Sequence, residues 1–334
     1  MNWYLQNGKE SDVVVSSKIR ILRNIQGYGF TNKCTEKQKL EILSKMEEIL
    51  PGLGYDLQVL KLKDIDEITK MSLIEKDLIS VEFAMNVNEE KAIAINKDEN
   101  ICIVINDEDH ICIQVFSEGL ALDSLLNMAI EIDKKIEKLV PYSYSKKYGY
   151  LTACPINVGT GMKASTFIHL PGLKITENIN KILRIINGFG MNVEGLYGEG
   201  KSDLYQISNN KTLGITEEEI VNNVKAITDK VILQEREARK HLGKNGLEFK
   251  NKIYRNFGLL KYSKILPLDE CLNILSIVKL GTDMGIIKEL DDLKIKKMYL
   301  YCKNANLQKY YGQTMNKKEQ DIKRSQIIAE IINS

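Results

Sequence analysis

The sequence predicts an α+β fold followed by a smaller helical region, and three observations predict it. Alternating or continuous apolar runs of strand length recur along the first part of the chain. Between them lie longer segments whose apolar residues repeat at helical spacing, the alternation expected of helices packed on a sheet. Beyond about Gly243 the strand signals fade and only helix-prone segments remain. With 334 residues, 43% of them hydrophobic, the chain is long enough for two domains with substantial cores. The division is expected at 1–245 and 246–334.

Ser11–Arg23 (SDVVVSSKIRILR) reads as a strand with Ser16, Lys18 and Arg20 on one face and Val15, Ile19 and Ile21 on the other. Glu36–Ile49 reads as an amphipathic helix stopped by Pro51 and Gly52. Strands are expected within Tyr55–Leu62 and Ala92–Ile105. A further one is expected where Ile111, Ile113 and Val115 alternate with Cys112 and Gln114. Leu120–Leu139 has the helical period, and the glycine-rich Val158–Gly161 leads into the apolar run Ala164–Leu170. Glu177–Phe189 and Glu217–Leu242 read as helices; the second lacks internal Gly and Pro, and Thr216 with Glu219 forms a capping-box pattern at its start. Leu268–Val278, Leu290–Tyr301 and Lys317–Ile332 supply the helical region.

Composition narrows the function classes. The 47 basic and 45 acidic residues leave a formal charge of +2, which predicts neither a nucleic-acid-binding surface nor a basic membrane arm. No apolar run approaches the roughly 18 residues of a membrane span, and the first residues lack a secretory pattern. Cys34, Cys102, Cys112, Cys154, Cys271 and Cys302 are scattered without zinc or disulfide spacing, so a reducing cytoplasm is expected. Only seven residues are arginine, which makes the position of each informative.

Three segments carry chemistry. Asp107, Glu108 and Asp109, followed by His110, suit a guanidinium, whose forked donors match a carboxylate, although a solvated acidic turn has the same composition. Leu151–Pro171 brings Cys154, Gly159, Gly161 and Lys163 close together. The thiol reads either as an anionic partner for a guanidinium or as a packed cysteine beside a rigid turn. Its glycines fit neither a P-loop nor a dinucleotide fingerprint. The glycine-flanked Glu194, Glu199 and Lys201 read as a mobile active-site loop or as an exposed polar turn.

SSKIRILRN, INDEDHICIQ, LTACPINVGTGMKASTFIHLP and EGLYGEGKSDLYQISNNKTLG stand in the order found in the ATP:guanido phosphotransferases. The chain resembles in particular the bacterial protein-arginine kinases, over essentially its whole length. The resemblance implies helices packed on an antiparallel sheet, and transfer of the ATP γ-phosphoryl group, with Mg²⁺, to arginine side chains of protein substrates. It implies that Glu108 and Glu199 orient the guanidinium and that Cys154 is the substrate-side thiol. It places nucleotide binding at Ser16, Ser17, Lys18, Arg20, Lys163, Ala164 and Ser165, with no metal site built by the protein alone. A homodimer and regulatory protein partners are implied, with no direct nucleic-acid or membrane partner.

The chain departs from the family pattern on the nucleotide side. Lys18 and Lys163 replace arginines, Cys112 removes a cation, Glu194 reverses one, and Asp77 stands where a histidine is usual. The loop before YQISN is two residues shorter than usual. Each lost charged hydrogen bond costs roughly 1.5–3 kcal/mol. A catalytically inactive scaffold acting in protein quality control is therefore the alternative to a divergent kinase. QDIKRS near the end resembles a phosphoarginine-recognition motif through Asp321 and Arg324, but not through Gln320 and Ser325, and an ordinary amphipathic helix fits it equally.

Overall fold

The computed structural model describes residues 2–88, 90–196, 203–244 and 246–334. Its strands are β1 (Val14–Arg23), β2 (Gln58–Lys61), β3 (Ala92–Ile95), β4 (Ile101–Ile105), β5 (Ile111–Glu118), the short β6 (Tyr144–Ser145) and β7 (Gly149–Tyr150), β8 (Met162–His169), β9 (Met191–Gly195) and β10 (Leu204–Asn209). Eight of them form one sheet in the order β2-β3-β4-β5-β1-β8-β10-β9. Every pairing in it is antiparallel, as expected.

The helices are α1 (Glu36–Ile49), α2 (Glu67–Glu75), α3 (Val81–Met85), α4 (Leu122–Glu137), α5 (Pro171–Ile175), α6 (Ile179–Gly188), α7 (Glu217–Lys244), α8 (Gly246–Tyr262), α9 (Leu268–Asp283), α10 (Asp292–Tyr301), α11 (Asn304–Tyr311) and α12 (Lys317–Asn333). Thr35 and Gln38 close a capping box at the start of α1, and Thr216 and Glu219 do so ahead of α7.

Strand period decides which side chains meet. Ile19 and Ile21 of β1 point into the main core with Ile113 and Val115 of β5, and Leu125 and Ala129 of α4 pack there too. Ser16, Lys18, Arg20 and Leu22 face the other way. Val15 departs from the expected core face. The register on β8 shifts between Val14 and Ser16, and Val15 joins Ser16 in lining a cavity on the polar side. The bulge also sends Val14 into a separate apolar cluster with Ile168 and Leu173.

Helix α7 spans 28 residues, about 42 Å at 1.5 Å per residue. Ile220 and Val224 enter the main core, Val231 and Ile232 the second cluster, and Leu242 the core of the helical region. That last core is built from α8, α9, α10 and α12 through Ile253, Leu275, Met298 and Ile328. Helix α9 continues past the expected end at Val278. Gly281 keeps the helix going where a Cβ would sit 2.4 Å from Ile253 of α8, so the two helices cross closely.

Candidate functional site

The polar face of the sheet holds a row of side chains fixed by register. Arg20 of β1 lies opposite Gln114 of β5 and Lys163 of β8; one pair further on, Lys18 lies opposite Phe116 and Ser165. Arg20 Nε is buried without a hydrogen-bond partner among the described residues. An unpaired buried donor is costly, so a guanidinium held this way beside Lys163 fits an anionic group. Burial pushes the Lys163 ammonium down, and Arg20 pushes it down further while Glu194 opposes both. A bound phosphate would relieve that stress between the cations.

The remaining nucleotide-side positions divide. Ser16 and Ser165 share the polar face, and Ser165 accepts from Gln206 Nε2 at 2.8 Å. Ser17 and Ala164 do not reach it. Ser17 Oγ donates to Gly119 O at 2.7 Å and accepts from Ala121 N at 3.1 Å, and Ala164 sits in the main core. Both expectations are corrected by strand alternation, which turns neighbours of a facing residue to the opposite side. Ala164 contributes through its backbone, donating to Asn209 Oδ1 at 2.8 Å.

Cys112 is buried beside Arg20 and Lys18, and burial raises its thiol to about 12, so it is neutral there. Glu194 is exposed on β9, its carboxylate accepting from Asn192. Asp77 follows α2 in a left-handed conformation, φ +60°, and accepts from Lys18 Nζ at 2.9 Å. Lys18 Nζ also lies 5.0 Å from the centre of the Phe116 ring.

The substrate-side residues are set by two loops tied together. Asp109 Oδ1 accepts from Asn24 Nδ2 at 2.6 Å and from Ala153 N at 2.7 Å. It therefore joins the β4–β5 turn that carries Glu108 to the loop that carries Cys154. His110 reinforces the turn: its N–H donates to Asn24 Oδ1 at 3.1 Å and its Nδ1 accepts from Ile25 N at 3.0 Å. Burial lowers the His110 imidazole to about 4, so it is neutral at pH 7 and serves as a structural acceptor.

Glu108 itself is exposed at the tip. Burial of part of its surface raises its carboxyl, Asp109 adds to this, and Arg20 opposes it. Asp107 and Asp109 are also raised, chiefly by burial. A cluster of carboxylates that hold their charge reluctantly is stabilised when a guanidinium arrives. Cys154 is half-buried and precedes the short helical turn Pro155–Asn157. Glu199 lies outside the described residues.

Two anchors hold the Cys154 loop. Gly159 has φ +118°, and a Cβ there would meet Thr212 O at 2.3 Å. Thr212 Oγ1 lies 2.8 Å from both Ile156 O and Val158 O and shares its single proton between them. Buried Arg23 pairs with Asp133 at 2.7 Å, donates to Thr160 O at 2.8 Å and lies 3.5 Å from the Tyr150 ring centre. Sequence reasoning gave no role to Asn24, Asp133, Asn209 or Thr212. Their signal was a polar residue at or just past a strand end, or in the case of Asp133 on the buried face of α4, which becomes informative only once its partner's position is known.

Beyond Lys18 the face opens into a cavity of about 440 Å³ lined by Ser16, Asp77, Phe116 and Phe167. Leu272 of α9 and Tyr299 of α10 line it as well, so the helical region contributes to its wall. Among the described residues no group of three or more His, Cys, Asp or Glu is placed to hold a metal ion. No described helix is long and apolar enough to cross a membrane.

Comparison with known proteins accounts for this arrangement. Residues 41–238 match the model of the ATP:guanido phosphotransferase C-terminal catalytic domain, and residues 246–334 match that of the protein-arginine kinase McsB C-terminal domain. The chain belongs to the protein-arginine kinase family. The protein-arginine kinase of Halothermothrix orenii is 40% identical over 99% of this chain and 96% of its own length. That of Caldanaerobacter subterraneus subsp. tengcongensis is 37% identical over 97% of this chain and 98% of its own. Among solved structures, a lombricine kinase superposes with a TM-score of 0.59 at 24% identity, covering 69% of this chain and 68% of that one. The duplicated taurocyamine kinase of Schistosoma mansoni, also at 0.59 and 24%, covers 69% of this chain and 33% of that one. These two likenesses show the fold.

The family's C-terminal motif takes an unexpected form here. Arg324 is fully buried, its guanidinium donating to Leu266 O at 2.7 Å and Asp321 Oδ1 at 2.6 Å, and also to Cys302 O and Asn304 Oδ1. It ties α12 to the α8–α9 and α10–α11 connections. The expectation that Arg324 and Asp321 receive phosphoarginine is corrected for this arrangement, because the donors that would grip a phosphate are already engaged by protein oxygens.

Proposed function

We propose that this chain is an ATP-dependent protein-arginine kinase that transfers the γ-phosphoryl group of ATP to arginine side chains of proteins. The observation that carries the reading is the single sheet face joining a phosphate-suited row, Arg20 and Lys163, to a guanidinium-suited acidic turn braced against the Cys154 loop. Bound with ATP, Mg²⁺ would supply positive charge that offsets the phosphates, beside the cations Arg20 and Lys163. The adenosine end lies in the cavity against Phe167, whose half-buried ring suits a purine face.

Glu108, with Glu199, orients the incoming guanidinium and favours the nitrogen that attacks in line; Glu108 accepts the proton that leaves it. Cys154, on the loop tied to that turn through Asp109, borders the same group. Arg20, Lys163 and Lys18 neutralise the oxygens of the transferring phosphoryl group. The transfer is direct and requires no covalent enzyme intermediate. We assign phosphotransfer to 1–245 and dimerisation to 246–334, in a cytoplasmic protein-quality-control setting.

Purified protein incubated with MgATP and an arginine-rich protein should yield phosphoarginine, detected by mass spectrometry after non-acidic preparation. The product should vanish with E108Q. Product formation unaffected by E108Q would remove Glu108 from the mechanism. A catalytically silent scaffold is the second reading, favoured by the Asp77 carboxylate on Lys18 and by the Glu194 carboxylate acting on Lys163; folded wild-type protein that neither binds MgATP nor yields product would support it.

A further inference from the structure

Four consecutive residues at the end of α2 contact four different parts of the molecule. The Glu75 carboxylate accepts from Ala305 N at 2.8 Å and Asn306 N at 2.9 Å, gripping the start of α11, and Glu75 O accepts from Lys303. Lys76 pairs with Glu99 at 2.8 Å. Asp77 takes Lys18 Nζ through its carboxylate at 2.9 Å and through its carbonyl at 3.1 Å. Leu78 O accepts from Gln114 Nε2 at 2.9 Å, the residue opposite Arg20.

Lys18 is one of three cations in the phosphate row, and an ammonium has three N–H donors. Two of them are engaged by Asp77. Phosphate oxygens approaching Lys18 must displace that carboxylate or accept its repulsion. Asp77 is not placed by chance, since its left-handed backbone is fixed between the Glu75 grip on one side and the Leu78 bond to the sheet on the other. The side chain of Asp77 is 59% exposed and that of Lys18 only 13%, so the carboxylate can swing into water while the ammonium stays in the site.

We propose that Asp77 is an internal competitor of the nucleotide phosphates for Lys18, and that Glu75 makes its hold depend on docking of the helical domain. The proposal rests on the ATP reading and adds a determinant of nucleotide affinity to it. The helical domain thereby acts on the phosphate site through α2: when α11 pulls on Glu75, Asp77 stays on Lys18, and when that grip is lost, Lys18 is released to the nucleotide.

The test is calorimetric titration of the full chain with MgATP in wild type, D77N, E75Q, the double variant and R20A. D77N keeps the shape of an exposed side chain and should bind MgATP about fivefold more tightly, the scale of one screened ion pair. That gain should shrink as salt is raised. E75Q should tighten binding by a smaller factor, and the double variant should match D77N, because both changes act through one contact. If R20A loses binding while D77N binds no better than wild type, the competitor role of Asp77 is overturned and the ATP reading stands. Independent, multiplying effects of E75Q and D77N overturn the tether. No binding in any variant overturns both the proposal and the ATP reading.

Discussion

Replacing Asp109 tests how the site is aligned, because its carboxylate joins the two loops that meet at the substrate. D109A removes the acceptor for Asn24 Nδ2 and Ala153 N, held at 2.6 and 2.7 Å. Hydrogen bonds to a charged group are worth about 1.5–3 kcal/mol each. Their sum overstates the loss. Burial raises the Asp109 carboxyl, and its Oδ2 is buried without a partner among the described residues, so removing the side chain also removes an unfavourable desolvation. A net destabilisation of about 2–3 kcal/mol follows.

The kinetic effect should be larger than the stability effect. Without the bridge, Glu108 and Cys154 are no longer referenced to one another, and a displacement of about 1 Å in a reacting group costs on the order of 10²-fold in rate. Phosphoarginine formation at saturating MgATP should therefore fall about 10²-fold in D109A with the KM for MgATP unchanged, since Asp109 lies on the substrate side. D109N keeps an oxygen acceptor for Ala153 N and should stay within about tenfold of wild type, near 1.4 kcal/mol. The assay is a time course of phosphoarginine by mass spectrometry, paired with urea melts. A folded, destabilised D109A with wild-type turnover would refute the alignment role.

Other expectations follow from single contacts. Glu118 is buried beside Lys296, and burial raises its carboxyl from 4.5 to about 7. Its contribution to stability is thus present below about pH 4.5 and lost as pH rises through about 7, on the order of 3 kcal/mol at most; urea midpoints at pH 5 and 8 should differ less in E118Q than in wild type. G159A forces a Cβ against Thr212 O at 2.3 Å in a left-handed backbone and should lower stability by about 2–4 kcal/mol, read by thermal melts. R324M should destabilise the helical region by about 3–5 kcal/mol, since it strands buried acceptors. An R324M protein that melts as wild type but loses phosphoarginine binding would return that residue to a ligand role.

Much of the fold could be read from local patterns. The α1 bounds, the alternation of β5 and the long unbroken α7 depend on residues within one or two turns of each other, where period and caps act directly. The short polar helix α2 and the strands β9 and β10 gave weaker signals, because their apolar faces are completed by neighbours distant in sequence. The chain order of SSKIRILRN, INDEDHICIQ and LTACPINVGTGMKAS, which carry Arg20, Glu108, Cys154 and Lys163, likewise marks the family.

The sequence by itself determined which chemistry the chain carries: a turn of carboxylates for a guanidinium, a thinned set of cations for phosphate, and a helical region after them. Tertiary structure decided which of those residues share a face and which are already engaged. Strand alternation removed the Ser17 and Ala164 side chains from the site. Burial turned Arg324 from an expected ligand group into a tie. The end of α2 brought Asp77 onto Lys18, 59 residues away in the chain. Such pairings depend on the distance and desolvation of groups far apart in sequence, and only the folded chain sets those quantities.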